Sequence, residues 1–201
     1  MPSVFLIADT HFGHKGMCTF TRNDGTTKLR PFDTVEEMDE FMVKAWNDKV
    51  KPTDKVYHLG DVVINKKSLP IMDRLNGDKV LIRGNHDIFH DVEYRKYFRE
   101  LRAYHVMNGM ILSHIPVHSA SLGRFGANIH GHLHSNRVMQ ARGVDARTGE
   151  ILYSNKIDVR YNCVSAEHVD YAPILFEDVI KRIIYEGGQV GFKNGNNERA
   201  M

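Results

Sequence analysis

The sequence predicts an α/β fold in which a parallel or mixed β-sheet is layered with helices. In the first half of the chain, short apolar runs typical of buried strands alternate with amphipathic helical patterns. In the second half, strand-like runs follow one another with little helix between them, which indicates more strand pairing. Strands that alternate with helices usually form a parallel sheet covered by those helices.

The first half predicts the order strand, helix, strand, helix, strand. Its first strand is the apolar run 4–8, which ends directly at polar residues. A helix follows, because Asp33 or Thr34 provides an N-cap with Glu36 or Glu37 at capping-box spacing. The apolar stripe of this helix consists of Val35, Met38, Phe41, Met42, Ala45 and Trp46. Two further strands, 55–59 and 79–83, flank a short helix at 69–75.

The second half predicts a helix near 91–101 and a closing helix at 177–185. Between them lie five strand-like pieces, at 103–107, 110–113, 127–130, 151–154 and 156–161. Residues 187–201 contain four glycines and three asparagines, so we expect a flexible tail there. No repeat or interdomain linker interrupts the rest of the sequence, so we expect a single domain at 1–186.

The composition is that of an ordinary compact domain. Hydrophobic residues make up 42% and charged residues 26% of the 201 positions. The net charge of +2 is too small to indicate a nucleic-acid footprint, so stable nucleic-acid binding is not expected. Two distant cysteines without Cys-x-x-Cys spacing, no signal-peptide pattern and no long apolar run predict a cytoplasmic protein without membrane insertion. The oligomeric state is not set by any of these patterns.

Five short polar fragments stand at or near the ends of the apolar runs. They are Asp9-Thr10-His11, Gly60-Asp61, Gly84-Asn85-His86-Asp87, Ser113-His114 and Gly131-His132-Leu133-His134. Because ligand groups in α/β sheets gather at the carboxyl ends of the strands, we expect these fragments to converge. Seven of their side chains are candidate metal ligands: Asp9, His11, Asp61, Asn85, His114, His132 and His134.

The donor types predict two divalent cations side by side. Asp9 and His11 are two residues apart, so on a strand they point to the same side and chelate one ion together. Asp61 follows a glycine that permits a sharp turn, and it has two oxygens to share between two ions. Oxygen and nitrogen donors without thiolate favour manganese, with iron, zinc or nickel as alternatives, over calcium.

The order Asp-x-His, Gly-Asp, Gly-Asn-His-Asp, His, Gly-His-x-His resembles that of the calcineurin-like metallophosphoesterases, and every motif is intact. The strings 8–14, 30–32, 58–61 and 130–134 resemble a small bacterial and phage branch of that family. The resemblance implies a sandwich of two mixed β-sheets flanked by helices. It implies one ion held by Asp9, His11, Asp61 and His134. It implies a second ion held by Asp61, Asn85, His114 and His132, with Asp61 as the bridge.

The same resemblance implies a phosphohydrolase. In such an enzyme, two cations about 4 Å apart would lower the pKa of a bridging water, and the resulting hydroxide would attack phosphorus in line. His86 would contact the phosphate or protonate the leaving oxygen, and Asp87 would orient the His86 ring. Phosphate monoesters and diesters, nucleotides among them, are both open as substrates. Two other functions also stay open: a nuclease, and a metal-bound protein-interaction scaffold without turnover.

The long loop 12–32 is expected to border the site. His14 in this loop is a candidate for lining the substrate pocket, with a solvated loop side chain as the alternative. Arg30 is the preferred clamp on the substrate phosphate, because a guanidinium binds two oxygens at once. A solvated or carboxylate-paired arginine is the alternative for Arg30.

Overall fold

The structure is a computed structural model that describes residues 2–192. The strands in this part of the chain are β1 (Val4–Ile7), β2 (Lys55–His58), β3 (Asp78–Ile82), β4 (Glu100–Arg102), β5 (His105–Met107), β6 (Met110–Leu112), β7 (Asn128–His130), β8 (Met139–Val144), β9 (Ile151–Ile157), β10 (Tyr161–Cys163) and β11 (Ile174–Leu175). The α-helices are α1 (Val35–Lys49), α2 (Asp91–Tyr94), α3 (Ser119–Leu122) and α4 (Phe176–Tyr185). Three 3-10 segments cover Lys15–Cys18, Lys66–Arg74 and Ala166–His168.

Two mixed sheets form the body of the fold. The first has the order β11-β1-β2-β3-β4, in which β11 is antiparallel to β1 and the other pairs are parallel. The second has the order β10-β7-β6-β5, in which β5 is antiparallel to β6 and the other pairs are parallel. Parallel neighbours need crossover connections, which is why strands and helices alternate in the first half of the sequence.

The two sheets pack on each other through one apolar core. Side chains of both sheets are fully buried in the same cluster, among them Leu6, Val56, Val80, Leu112 and Ile129. The backbone of Ala8 joins the sheets, because its N–H donates to Val164 O (2.9 Å) and its carbonyl accepts from Ala166 N (3.0 Å). This junction brings the carboxyl end of β1 next to that of β10. The predicted sandwich of mixed sheets is confirmed.

Helix α1 begins as its sequence predicts, and its buried face differs from the predicted stripe at Phe41, Val43 and Ala45. The Thr34 hydroxyl accepts a hydrogen bond from Glu37 N (3.1 Å), which satisfies one free N–H of the first turn. The buried side chains of α1 are Val35, Met38, Met42, Val43 and Trp46. Phe41 is 48% exposed and lies at the border of the stripe, where its ring is 5.3 Å from that of Phe32.

The predicted helix at 91–101 is wrong in its second half. Helix α2 ends at Tyr94, and residues 100–102 form β4 at the edge of the first sheet. Tyr94 and Phe98 are buried and four residues apart, which produces a helical pattern. Pairing with β3 overrides that local pattern, and it begins with a bond from Arg99 N to Lys79 O (2.9 Å).

The predicted strand-like pieces 151–154 and 156–161 are distributed differently in the structure. Residues 151–157 form one strand, β9, which pairs with β8 in a separate two-stranded hairpin. The sequence does not predict β8, because its Met-Gln-Ala-Arg-Gly-Val stretch lacks apolar alternation. Residues 161–163 form β10 in the second sheet.

Two further expectations change in detail. The helix expected at 69–75 is the 3-10 segment at 66–74, and Pro70 lies inside it. Proline lacks an N–H and disfavours α-helix at the residue before it, so a regular α-helix does not form there. Of the tail expected at 187–201, Phe192 pairs with Phe125 in an antiparallel bridge, and residues 193–201 lie outside the described part. No helix within 2–192 is long and apolar enough to cross a membrane.

Candidate metal centre

The seven predicted ligands lie together where strand ends of the two sheets meet. They follow β1 (Asp9, His11), β2 (Asp61), β3 (Asn85), β6 (His114) and β7 (His132, His134). The donor atoms of Asp9, Asp61 and His114 all lie within 4.8 Å of one another, and so do those of Asp9, His11 and His134. Of the remaining two ligands, Asn85 contacts His114 and His132 contacts Asn85. The residues that the sequence places directly after strands thus lie close together in the fold.

Five of these seven residues have a left-handed backbone although none is glycine. Their φ angles are 56° at Asp9, 49° at His11, 58° at Asp61, 72° at His132 and 49° at His134. Such conformations cost about 1–3 kcal/mol each and cluster where a site requires them. β1 ends at Ile7, so a left-handed turn, and not the strand pleat expected from the sequence, brings Asp9 and His11 together.

Two glycines allow the ends of β2 and β3 to approach each other. A Cβ atom on Gly60 would lie 2.5 Å from Gly84 N, and one on Gly84 would lie 2.2 Å from Asp61 Oδ1. Gly131 is equally constrained, because its Cβ atom would lie 2.6 Å from Asp9 Oδ2. Any side chain at these positions would push a ligand out of the cluster.

The first donor group, which consists of Asp9, His11 and His134, contains buried atoms without partners. Oδ2 of Asp9 accepts hydrogen bonds from His132 N (2.9 Å) and from the Ser165 hydroxyl (2.7 Å). Oδ1 of Asp9 and both ring nitrogens of His11 are buried and have no hydrogen-bond partner. Leaving such atoms unsatisfied is costly, and a cation between Asp9 Oδ1 and an imidazole nitrogen removes the cost. The first group therefore fits a divalent metal.

In the second donor group, which consists of Asn85, His114 and His132, both histidines lie close to Asn85. Nε2 of His114 and Nδ1 of His132 each lie 2.9 Å from Oδ1 of Asn85. Nδ1 of His114 donates to Leu59 O (2.8 Å), which leaves the lone pair of its Nε2 free. Ligand atoms about 2.1 Å from one cation and at right angles to each other are about 3 Å apart, so this spacing also fits a metal ion.

Asp61 lies between the two donor groups. Its Oδ2 is 3.7 Å from His11 Nε2 and 3.4 Å from His114 Nε2, and the side chain is 2% exposed. Its Oδ1 accepts a hydrogen bond from His86 N (2.9 Å), which fixes the carboxylate plane. One oxygen of Asp61 thus faces histidines of both groups.

Burial and neighbouring charge set the protonation of the metal-free cluster. Burial raises the pKa of Asp9 to about 6, although His114 and His134 act against it. Burial also acts to raise the pKa of Asp61, but the hydrogen bond and charge of His114 outweigh it and lower that pKa to about 2. Burial and repulsion from Arg30 hold the pKa of His11 well below its usual value. Ionised Asp61 and neutral His11 are the forms that bind metal.

His86 and Asp87 have different surroundings from those expected. The exposed His86 ring lies with its centroid 5.7 Å from that of His11. The Asp87 carboxylate is buried and accepts the backbone N–H groups of Asp61 (2.8 Å), Val62 (3.1 Å) and Gly84 (2.8 Å). This corrects the expectation that Asp87 orients the His86 ring. Asp87 instead anchors the two turns that carry Asp61 and Asn85.

Arg30 is the carboxylate-paired arginine that the sequence left open. It is fully buried, and its Nε donates to Glu167 Oε1 (2.7 Å). Its Nη1 donates to Thr10 O (2.9 Å) and its Nη2 donates to Asp9 O. The guanidinium is therefore bound by internal partners, which corrects the expectation that Arg30 clamps the substrate phosphate.

His14 lies beside the cluster, within the loop expected to border it. Its ring centroid is 5.8 Å from that of His11 and 5.7 Å from that of Phe20. Burial and the charge of His86 lower the pKa of His14. A role of His14 toward substrate stays a prediction.

Sequence reasoning missed two residues that contact ligands, Ser165 and Glu167. Ser165 donates to Asp9, and Glu167 Oε1 lies 3.2 Å from His134 Nδ1. Both follow the end of β10, so they carry the same strand-end signal as the other site residues. The sequence predicts that this strand ends at Tyr161 and not at Cys163. Ser165 and Glu167 are therefore not recognised as residues at a strand end.

The mixed-sheet sandwich thus carries a candidate metal centre of carboxylate, amide and imidazole donors at its strand ends. Residues 2–185 match the model of a family described as calcineurin-like phosphoesterase, and the chain belongs to that family. It is therefore a phosphoester hydrolase with a candidate site for divalent metal.

Two similar proteins cover nearly the whole chain. The uncharacterised protein MJ1445 of Methanocaldococcus jannaschii is 32% identical over 198 residues, which cover 94% of this chain and 95% of that protein. The structure of AQ665, a protein of unknown function from Aquifex aeolicus, aligns with a TM-score of 0.62 at 23% identity. That alignment covers 90% of this chain and 100% of the other, which shows a shared fold.

Proposed function

We propose that the chain hydrolyses phosphate esters with two divalent cations, between which the carboxylate of Asp61 would be shared. The observation that carries this proposal is the position of Asp61 Oδ2, 3.7 Å from His11 Nε2 and 3.4 Å from His114 Nε2. Asp9, His11 and His134 complete the first site. Asn85, His114 and His132 complete the second.

Manganese is the proposed metal, with iron, zinc or nickel as alternatives. The donors are oxygens and nitrogens, which suits these ions better than calcium. Cysteine does not compete as a ligand, because burial raises the pKa of Cys163 to about 11 and Cys18 is also buried and unpaired. Two free cysteines fit a reducing compartment, and we place the protein in the cytoplasm.

A pair of bound cations supplies positive charge for the phosphoryl group and lowers the pKa of water. The side chains of Asp9 and Asp61 are held by hydrogen bonds from Ser165 and from His86 N, which orient them before metal or substrate binds. His86 stands at the exposed side of the cluster, where it contacts the phosphate or donates a proton to the leaving oxygen. His14 lines the substrate pocket beside it.

The surroundings of the cluster support a substrate that carries a flat or apolar group beside the phosphate, as a nucleotide does. Phe20, Ile88 and Ile115 are 48%, 75% and 52% exposed. Phe20 packs on His14, and the two isoleucines follow His86-Asp87 and His114 directly in sequence. Exposed apolar side chains near a polar site provide contact area for a base or an aryl group.

The test is metal analysis of the purified protein together with a panel of phosphate esters. We expect two equivalents of metal and turnover that requires Mn²⁺, lost in Asp61→Asn. Comparing p-nitrophenyl phosphate with its bis ester separates monoesterase from diesterase. Bound metal without turnover on any ester would contradict the enzyme and favour a scaffold. Cleavage confined to DNA or RNA, with binding that weakens steeply with salt, would favour a nuclease.

A further inference from the structure

Glu167 is a buried carboxylate next to the proposed metal ligands. It lies in the 3-10 segment at 166–168, and its side chain is 1% exposed. Its Oε1 accepts a hydrogen bond from Arg30 Nε (2.7 Å) and lies 3.2 Å from His134 Nδ1. A carboxylate this buried stays ionised only when it is paired with hydrogen-bond donors. Here the partners are one arginine and one proposed metal-ligand histidine.

Arg30 ties Glu167 to the other side of the first donor group. The same guanidinium that binds Glu167 also donates to the backbone carbonyls of Asp9 and Thr10. Arg30 and Glu167 are 137 positions apart in sequence. They therefore form a link between the turn that presents Asp9 and His11 and the loop that presents His134.

The contact with Glu167 determines which nitrogen of His134 is free. A carboxylate only accepts hydrogen bonds, so Nδ1 of His134 carries the proton and the lone pair is on Nε2. The His134 ring also stacks on His11, with ring centroids 5.2 Å apart and planes at 25°. Glu167 and His11 thus fix both the tautomer and the plane of the His134 ring.

We propose that Glu167, braced by Arg30, is a positioning residue that aims His134 Nε2 at the first cation and strengthens its binding. The proposal rests on the function proposed above. Losing the partner of a metal-bound histidine typically weakens metal binding about 10- to 100-fold. The second site has no such dependence on Glu167, because His114 donates to the backbone carbonyl of Leu59 instead.

The test measures Mn²⁺ binding to the full chain by competition with a chelator. In Glu167→Leu, which removes both hydrogen bonds, we expect the affinity of one of the two sites to fall about 10- to 100-fold while the other is unchanged. In Glu167→Gln, the amide oxygen still accepts from Arg30 and His134, but the charge is lost. The loss of affinity at the same site should therefore be smaller than in Glu167→Leu.

A matched control separates positioning from general destabilisation. Arg182→Met removes hydrogen bonds to His168 O (3.2 Å) and Cys163 O (2.8 Å), next to Glu167 but without contact to His134. It should lower the melting temperature and leave both metal affinities unchanged. Nitrogen-15 spectra of the zinc-loaded protein provide a second readout, because the His134 Nδ1–H signal should persist in the wild type and in Arg182→Met and be lost or shifted in Glu167→Leu.

Each outcome decides the question. If the Mn²⁺ affinities of both sites are unchanged in both Glu167→Gln and Glu167→Leu, the role of Glu167 is overturned and the proposed function still stands. If Glu167→Leu does not fold, an Mn²⁺ affinity of Glu167→Gln that equals the wild-type value at both sites overturns the role in the same way. A wild-type chain that binds no metal would overturn the proposed function itself, and the positioning role with it.

Discussion

The hydroxyl of Ser165 donates a 2.7 Å hydrogen bond to Oδ2 of Asp9 across 156 positions of sequence. Both side chains are fully buried. Together with His132 N, this hydroxyl occupies one carboxylate oxygen and leaves Oδ1 without a partner in the cluster. The fold thus directs a single oxygen of Asp9 toward the proposed first cation.

Ser165→Ala should therefore weaken metal binding. Without the hydroxyl, the Asp9 carboxylate loses one of two hydrogen bonds that fix it, and we expect about a 10-fold lower affinity for the first ion. Chelator competition with Mn²⁺ measures the change. Ser154→Ala, at a half-buried position of the β8–β9 hairpin, is the control and should bind as the wild type does. Equal affinities in the two variants would show that Ser165 does not constrain Asp9.

His86→Ala should separate metal binding from turnover. His86 is not among the proposed ligands, so two metal ions should still bind, while turnover falls about 10²-fold or more if His86 is the general acid. The loss should be larger for an alkyl phosphate than for p-nitrophenyl phosphate, because the poorer leaving group needs the proton more.

The control for this variant is His90→Ala, an exposed histidine at the start of α2. It should keep wild-type turnover with both esters. A His86→Ala enzyme that is equally impaired on the two esters would point to phosphate binding by His86 instead of proton donation. Unchanged turnover would remove His86 from the mechanism.

Asp87→Ala should lower the free energy of unfolding. Three backbone N–H groups lose their shared acceptor, and unsatisfied buried donors cost about 1–3 kcal/mol each, partly relieved by relaxation and water. We expect the free energy of unfolding to drop by about 2–5 kcal/mol in denaturant titrations of the metal-free protein. Full stability combined with a changed pH profile of turnover would instead support a ring-orienting role for Asp87.

Acid should destabilise the protein through two buried neutral histidines that are not proposed metal ligands, His58 and His130. Burial lowers the pKa of His58 to about 3 and that of His130 to about 4. Both values lie below that of an unfolded histidine, so the unfolded state binds protons first as the pH falls. The stability contribution is complete above about pH 6.5 and is lost progressively below it, at about 1.4 kcal/mol per pH unit and histidine.

His58→Gln tests this pH dependence, because glutamine does not titrate. Between pH 7 and pH 5, we expect its stability loss in EDTA to be smaller than that of the wild type by about 2 kcal/mol. His90→Gln, at an exposed position, should show the wild-type dependence. The same slope in all three proteins would contradict the assignment.

The sequence predicts the convergence of the ligands better than it predicts how each one is held. Strand-end position found Asp9, Asp61 and His114, because the carboxyl ends of the strands share one side of the fold. It did not reveal the left-handed turns at Asp9 and His11, since these conformations depend on the surrounding tertiary structure. Local residue types do not distinguish an arginine that binds substrate from one that is buried against a distant glutamate.

The errors in the predicted secondary structure also arise because tertiary contacts override local sequence patterns. The second half of the predicted helix at 91–101 becomes β4 because an open edge of the first sheet accepts it. The location of β10 depends on its parallel pairing with β7, about thirty residues earlier, and not on the apolar pattern of residues 156–161. Misplacing that strand end also concealed Ser165 and Glu167.

The central claim is that Asp61 bridges two cations, and the most direct test is a crystal structure of the manganese-loaded protein with anomalous scattering data. We expect two anomalous peaks about 3.5–4 Å apart on either side of Asp61, with His11 bound to one and His114 to the other. A single peak, or two peaks of which only one contacts Asp61, would contradict it.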